Sequence, residues 1–164
     1  MKFAYGAREQ AGALFGGTVW DWLLFWLNEL ERPNIKPSTY ASYRGKLENH
    51  VLPLLGDKKL SKLNEIDIQG WIGALAAKGL AASSIHTIYR VLNAALQKAV
   101  RRRCLFANPC EGAVLPSAEQ EKVSALTIPQ QKALEKQAFQ GKHGEAVIIA
   151  LYTGMRIGEI SALL

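Results

Sequence analysis

An arginine and a carboxylate stand three residues apart near the end of the chain, in the stretch Thr153-Gly-Met-Arg-Ile-Gly-Glu-Ile-Ser-Ala162. The stretch directly follows an apolar run, so the pattern predicts that Arg156 and Glu159 lie one helical step apart on a buried element. A buried guanidinium is costly unless an anion meets it, and its planar fork suits a phosphate or a carboxylate. We therefore expect Arg156 to bind such an anion. Glu159 is either that anion or the group that orients the arginine toward another.

No other pattern in the sequence carries a catalytic assignment. The chain has no Gly-rich phosphate loop, no His-Glu-x-x-His motif and no acidic cluster spaced for two metal ions. Cys104 and Cys110 lack partners at metal-ligand spacing, which is typical of free thiols in a reducing compartment. The sequence therefore predicts neither a metal site nor a cofactor.

A second candidate site is a polar stripe along one predicted helix. We expect Ser83 to cap this helix, because the apolar residues that follow recur at spacings of three and four. These inward residues are Ile85, Ile88, Leu92, Leu96 and Ala99. The opposite stripe consists of His86, Arg90, Asn93, Gln97 and Arg101. Every member of the stripe can donate a hydrogen bond, provided that His86 holds the suitable tautomer.

Such a stripe has the chemistry of a DNA-reading helix. An α-helix fits the major groove, where arginine reads guanine and where asparagine or glutamine can read adenine. The hydroxyl groups of Ser83, Ser84 and Thr87 at the start of the helix suit phosphates. Arg101, Arg102 and Arg103 would then lie along a DNA backbone. The alternative is a solvated helix face without a partner.

The charge distribution supports a polyanionic partner. Between Ile68 and Cys110 there is no Asp or Glu, yet six Lys and Arg residues fall there. The whole chain has 20 basic and 14 acidic residues, so without these six the two counts are equal. One segment therefore carries the entire net charge of +6, and this asymmetry favours nucleic acid over general solubility.

Three further helices precede this segment. Thr18 is expected to cap the first, over Val19 to Glu31, whose apolar side chains reach almost all round it. That helix is either the centre of a core or a face for protein contacts. Ser38 is expected to cap a second helix, which ends between Pro53 and Gly56. Arg44 and Lys46 lie on its polar face and are further candidates for DNA contact. Asn64 caps the third, and Gly79 suits a left-handed end.

The remainder of the chain is also predicted to be helical. Leu105 to Val123 has little periodicity and is expected to be a linker. Thr127 and Gln130 form a capping box that opens a helix to about Phe139. Glu145 to Tyr152 forms an apolar helix ended by Gly154, and another helix starts at Arg156. No region is rich in strand patterns, so the fold class is all-α.

Four phrases of this sequence resemble the tyrosine recombinases, or phage-type integrases. They are the terminal T-G-M-R-I-G-E-I-S-A-L, Tyr43 with His50-Val-Leu-Pro-Leu-Leu-Gly56, Ser83-Ser-Ile85, and Asn108-Pro109. The resemblance runs from about Thr18 to Leu164. It implies a four-helix, SAM-like core-binding bundle over residues 18–104 after a mobile tail of residues 1–17. A linker over 105–123 and the start of a truncated catalytic domain over 124–164 would follow.

The resemblance also implies roles. Arg156 would be the first arginine that grips the scissile phosphate, and Glu159 would be its supporting carboxylate. The family's lysine, His-x-x-Arg box and nucleophilic tyrosine would lie beyond Leu164, so we expect this chain not to cleave DNA alone. The implied partners are double-stranded DNA at a recombination site and other recombinase protomers. The family's chemistry requires no metal ion or high-energy cofactor.

Two alternatives remain open. One is a non-catalytic DNA-binding protein that competes for recombination sites, and the other is a helical protein-interaction module that uses the Val19 to Leu30 surface. Residues Met1 to Arg8 lack the apolar core of a secretory signal, and no run approaches the ~20 residues that cross a bilayer. We therefore expect a cytoplasmic protein that does not enter a membrane. Exposed apolar residues of the Glu145 to Tyr152 helix would either self-associate or fold back on the first domain.

Overall fold

The computed structural model describes residues 17–117 and 124–163, which belong to two compact units, residues 1–119 and 120–164. All regular secondary structure in these two ranges is helical, which confirms the all-α prediction. The one β-type pairing in them is an isolated antiparallel bridge between Thr18 and Lys59. The helices of the first unit are α1 (Val19–Phe25), α2 (Pro37–Lys46), α3 (Leu52–Leu55), α4 (Glu65–Ala77) and α5 (Ala82–Arg101). Those of the second are α6 (Ile128–Ala138), α7 (Gly144–Thr153) and α8 (Ile157–Ile160).

The first helix is a core element, so the structure decides between the two alternatives for it. Thr18 caps α1 as predicted, because its hydroxyl oxygen accepts from the Asp21 N–H at 3.2 Å, and the Asp21 carboxylate accepts in return from the Thr18 N–H at 2.8 Å. The helix continues as a π-helical segment (Trp26–Glu31). Five of its apolar side chains are buried, namely Val19, Trp22, Leu23, Trp26 and Leu27. The Trp22 indole also donates to the carbonyl oxygen of Ala95 at 2.9 Å, which joins α1 to α5.

The second helical rod is continuous from Pro37 to Leu55. It begins at Pro37 with Lys36 as N-cap, so the prediction of a Ser38 cap was wrong. Proline suits the first helical position because its fixed φ matches the helix and its missing N–H has no partner there. A π-helical segment (Leu47–Val51) joins α2 to α3, whose second residue is Pro53. A wider turn is one way to accommodate a ring that would clash with the carbonyl one turn earlier.

The third rod, α4, follows the prediction at both ends. The Asn64 side chain accepts from the Asp67 N–H at 3.0 Å, and Gly79 has a φ of 81°. Lys58 forms an ion pair with Asp67, and this hydrogen bond holds the pKa of the Asp67 carboxyl below its usual value. The Trp71 indole donates to the carbonyl of His50 at 2.7 Å, which ties α4 to the second rod.

The fourth rod, α5, has 20 residues and packs against the other three rods. Its inward face is as predicted, since Ile85, Ile88, Leu92, Leu96 and Ala99 are all at most 3% exposed. It begins at Ala82 with Ala81 as N-cap, so the predicted Ser83 cap was wrong. Alanine is the best helix former, and the helix extends through it to one residue before the serine pair.

The segment after α5 packs against the helix over its described residues, 105–117. Asn108 is 5% exposed, and the Tyr89 hydroxyl donates to the carbonyl of Cys110 at 2.6 Å. The ring nitrogen Nε2 of His86 lies 2.9 Å from the carbonyl oxygen of Pro116. Side chains of α5 thus form hydrogen bonds with backbone carbonyls of segment 105–117. The spacing of residues in the sequence does not predict these bonds, because the segment has no helical or strand periodicity. The boundary between the core-binding domain and the linker, placed between residues 104 and 105, remains a prediction.

Burial in this segment gives the first testable effect. Burial raises the pKa of the Cys110 thiol from 9.0 to about 12, so folding favours its protonated form. That stabilisation is complete below pH 9.0, the unfolded value, and is lost as the pH rises toward about 12. We expect the free energy of unfolding, measured with urea between about pH 8 and about pH 10.5, to fall less steeply in Cys110→Ala than in the unaltered chain. Parallel pH dependences in the two proteins would contradict this.

The second unit is a small helical assembly. Thr127 and Gln130 form the predicted capping box, in which the Gln130 oxygen accepts from the Thr127 N–H at 2.9 Å. A Cβ at Gly144 would stand 1.7 Å from the carbonyl oxygen of Ala138, so α6 and α7 approach too closely for a larger residue. Gly154 ends α7 with a φ of 69°, as predicted. In α7 Val147 is exposed and Ile148, Ile149 and Leu151 are half-buried.

Candidate nucleic-acid interface

The structure divides the predicted polar stripe of α5 into two parts. Arg90 and Arg101 are exposed, whereas His86, Asn93 and Gln97 are half-buried along the side that segment 105–117 covers. Ser83, Ser84 and Thr87 are exposed at the start of the helix. The exposed stripe therefore runs through Ser83, Thr87, Arg90, Ala94 and Arg101, which follow one another at helical spacing.

The half-buried part of the stripe is held by Asn108. The Asn108 Nδ2 donates to the Oδ1 of Asn93 at 2.6 Å and to the Oε1 of Gln97 at 3.0 Å. The Oδ1 of Asn108 accepts from the backbone N–H of Cys110 at 3.0 Å. Asn108 thus fixes both helix amides. The sequence did not predict this role, because Asn108-Pro109 stood out only by its resemblance to the recombinase family and by its place in the expected linker. The signal was a polar residue before a proline, at a point where the backbone is constrained.

Three consecutive arginines, the last residue of α5 and the two that follow it, are all exposed. Arg103 has a φ of 60°, and the helix closes with hydrogen bonds from the Arg103 N–H to Val100 and from the Cys104 N–H to Ala99, both 2.9 Å. The left-handed conformation costs a non-glycine residue about 1 kcal/mol. The Arg102 guanidinium lies 5.9 Å from the centre of the Phe25 ring. These contacts hold the backbone of Arg101 to Arg103 in one conformation.

The two basic residues predicted on the second rod have partners within their own helix. The Arg44 Nε donates to the Glu48 carboxylate at 2.8 Å, and this hydrogen bond raises the pKa of Arg44. The Lys46 ammonium donates to the Ser42 hydroxyl. The Arg44–Glu48 pair is an ion pair at the surface of the second rod, where solvent screens such pairs and their partners exchange readily. The structure thus places Arg44 and Lys46 on an element separate from the α5 cluster.

Arg156 and Glu159 lie close together, but the prediction that their charges are buried was wrong. The side chains are 88% and 50% exposed, because Arg156 stands in extended backbone immediately before the short helix α8. The Glu159 carboxylate accepts from the Arg156 N–H at 2.8 Å and lies 3.5 Å from its guanidinium. Glu159 therefore both caps α8 and orients the arginine, whose exposed donors can meet another anion.

Two negative observations apply to the described residues alone. Residues 17–117 and 124–163 contain no group of three His, Cys, Asp or Glu residues that could hold a metal ion. No helix in these ranges has the length and apolar character that crossing a membrane requires.

Comparison with known proteins gives an independent view of the same residues. The sequence pattern of the phage integrase N-terminal SAM-like domain family matches residues 18–76. A tyrosine recombinase XerC-like protein of Caldanaerobacter subterraneus is 29% identical over 153 residues, which is 89% of this chain and 39% of that protein. The chain spans only 34% to 40% of the length of three integrases and prophage integrases that it matches.

Solved structures share the fold. The chain has the fold of the Tn1549 transposon integrase, solved in complex with circular intermediate DNA, with a TM-score of 0.74 at 24% identity over 86% of this chain and 47% of that one. The phage integrase SAM-like domain of Moorella thermoacetica is 33% identical, and the match covers 66% of this chain and 95% of that domain with a TM-score of 0.55. On this evidence, together with the four-rod architecture, the chain belongs to the phage-type integrase, or tyrosine recombinase, family.

Proposed function

We propose that this chain is the DNA-binding N-terminal part of a site-specific tyrosine recombinase that acts in DNA integration and recombination. The observation that carries the proposal is the exposed basic cluster on α5, formed by Arg90 and Arg101 to Arg103, in a stretch from Ile68 to Cys110 without any acidic residue. The Tn1549 integrase, which shares the fold, was solved with DNA. The whole protein would work with other protomers on double-stranded DNA in the cytoplasm.

The second unit would contribute to phosphate chemistry through Arg156. Strand transfer places negative charge on the attacked phosphate in the transition state, and fixed donors stabilise that charge without reorganisation. The Arg156 guanidinium is exposed and oriented by Glu159, as such a donor must be. The nucleophile and the other cationic residues of the family would come from residues C-terminal to this box.

The protein-interaction alternative loses its basis in the fold. Its surface was the apolar helix from Val19 to Leu30, and the side chains that would form it are mostly buried inside the first unit. A non-catalytic DNA-binding protein that competes for recombination sites would use the same α5 cluster. DNA binding alone therefore does not distinguish it from the N-terminal part of a recombinase. The reaction of the whole protein on a recombination site distinguishes them.

Salt dependence tests the binding. A protein loses about 0.9 log units of affinity per log unit of salt for each phosphate that it neutralises, so four arginines predict a slope of about −3.6. Affinity for a duplex of mixed sequence, measured by fluorescence anisotropy, should fall about a hundredfold between about 50 and 200 mM salt. An affinity that does not change over this range would exclude the α5 cluster as the source of binding.

A further inference from the structure

The orientation of the Asn108 amide follows from its backbone partner. The Cys110 N–H can only donate, so the atom of Asn108 that meets it must be the oxygen. The Asn108 nitrogen therefore faces the other two side chains, and those must present oxygens to it. Side-chain amides are otherwise easily assigned the wrong way round, but a backbone donor at one end of this network removes that freedom.

The same network determines what Asn93 and Gln97 offer to the outside. Each has committed its oxygen to Asn108, and within residues 17–117 neither side-chain nitrogen donates a hydrogen bond. Neither nitrogen is buried without a partner, so both reach solvent. Asn93 lies three residues after Arg90, and Gln97 lies four residues before Arg101. Two amide donors thus stand at the margin of the basic cluster.

This arrangement limits which atoms of DNA the two amides can recognise. Reading adenine requires an amide to donate to N7 and to accept from N6 at the same time. The oxygens of Asn93 and Gln97 face Asn108, so neither is turned outward beside its NH₂ group to make the second bond. Their remaining donors suit atoms that only accept, such as phosphate oxygens or the N7 and O6 of guanine.

We propose that Asn108 sets the specificity of this face by holding Asn93 and Gln97 as donors only, so that they bind acceptor atoms of DNA and do not read adenine. The proposal rests on the proposed DNA-binding function. It also corrects the expectation from the residue types alone, which allowed both amides to read adenine. Asn108 is a positioning residue here, because it acts through the two amides and not on DNA.

The replacement Asn108→Asp tests this without altering any residue that meets DNA. The carboxylate still accepts from the Cys110 N–H, but its second oxygen now requires donors. Asn93 and Gln97 should therefore turn over and present their oxygens outward. We expect duplex affinity to fall about tenfold or more, and sites selected from a random duplex library to change toward bases that carry amino groups.

Ala107→Asp is the matched control for charge. Ala107 is exposed and adjacent in sequence, so this variant adds the same negative charge outside the amide network. It should weaken binding to all sequences alike and leave the selected sites unchanged. If both variants select the same sites as the unaltered chain, the amides do not determine specificity and the inference is wrong.

Further variants and probes separate the possible acceptors. Gln97→Glu and Asn93→Asp keep an oxygen toward Asn108 and replace the outward donor, so each should weaken binding even if Asn108→Asp does not fold. Replacing guanine by 7-deazaguanine in a selected site should weaken binding if the amides meet N7, and neutral methylphosphonate links should weaken it if they meet phosphate. Weaker binding when adenine is replaced by purine, which lacks only the N6 amino group, would show that an amide oxygen accepts from that group and would overturn the inference.

A measurement on the free protein distinguishes failure of the proposed DNA-binding function from failure of the proposed amide orientation. In the ¹⁵N spectrum of the free protein, the side-chain NH₂ of Asn108 should be protected from exchange with solvent, and those of Asn93 and Gln97 should exchange freely. If they do so and the chain binds no duplex even at low salt, the proposed function fails and the specificity proposal fails with it. If the Asn93 or Gln97 NH₂ is the protected one, the orientation is wrong whatever the chain binds.

Discussion

Replacing Arg90 and Arg101 together by alanine is expected to weaken binding to duplex DNA on the order of a hundredfold or more, because each exposed guanidinium forms a charge-assisted hydrogen bond of about 1.5 to 3 kcal/mol with a phosphate or a base. Both side chains are exposed on α5, so the fold should tolerate the change. The slope of log affinity against log salt should become shallower by about two units if both arginines contact phosphates. Anisotropy titrations at several salt concentrations measure both quantities.

The matched control removes the same charge from another surface of the same unit. Lys59 and Lys62 are exposed in the segment between α3 and α4 and lie outside the predicted contacts. Lys59→Ala with Lys62→Ala should weaken binding much less, since only long-range attraction is lost and salt screens it. Equal losses in the two double variants would mean that the chain binds DNA through its net charge and not through a defined face of α5.

Replacing Trp22 by alanine is expected to destabilise the first unit by about 3 to 5 kcal/mol. The Trp22 side chain is 1% exposed, and its indole N–H donates to the Ala95 carbonyl, so the change leaves a cavity and removes a link between α1 and α5. This loss is a large share of the roughly 5 to 15 kcal/mol that stabilises an ordinary domain. Urea denaturation followed by far-ultraviolet circular dichroism measures it.

Trp20 provides the comparison within the same helix. It is 37% exposed, so Trp20→Ala removes a similar side chain that the core does not enclose. We expect it to cost about 1 kcal/mol or less. A loss as large as that of Trp22→Ala would indicate that α1 is not oriented as the structure shows. In both variants, duplex binding should be proportional to the fraction of folded protein. The exposed residues of α5 are held in place only when its buried residues pack in the core.

Local chemistry explains why so much of the architecture was predictable. Thr18, Asn64 and Thr127 cap helices through groups three residues away, and Gly79 and Gly154 adopt left-handed conformations. Such signals act within one turn of the chain, so the sequence displays them directly. Ser38 and Ser83 failed as caps because a proline and an alanine close by were equally able to start their helices.

The basic cluster of α5 follows from the order of residues alone, since its charges stand at helical spacing opposite an apolar face. What that face shows to a partner was decided by tertiary structure. Asn108 lies 15 residues beyond Asn93 and 11 beyond Gln97, and only the return of the chain along α5 brings their amides together. The exposure of Arg156 has a local reason, because its backbone is extended immediately before α8. The types of the residues and their helical spacing determine which face of each helix can be buried. Which donors and acceptors stay available to a partner depends on contacts with segments that have no repeating pattern, so the sequence alone does not show them.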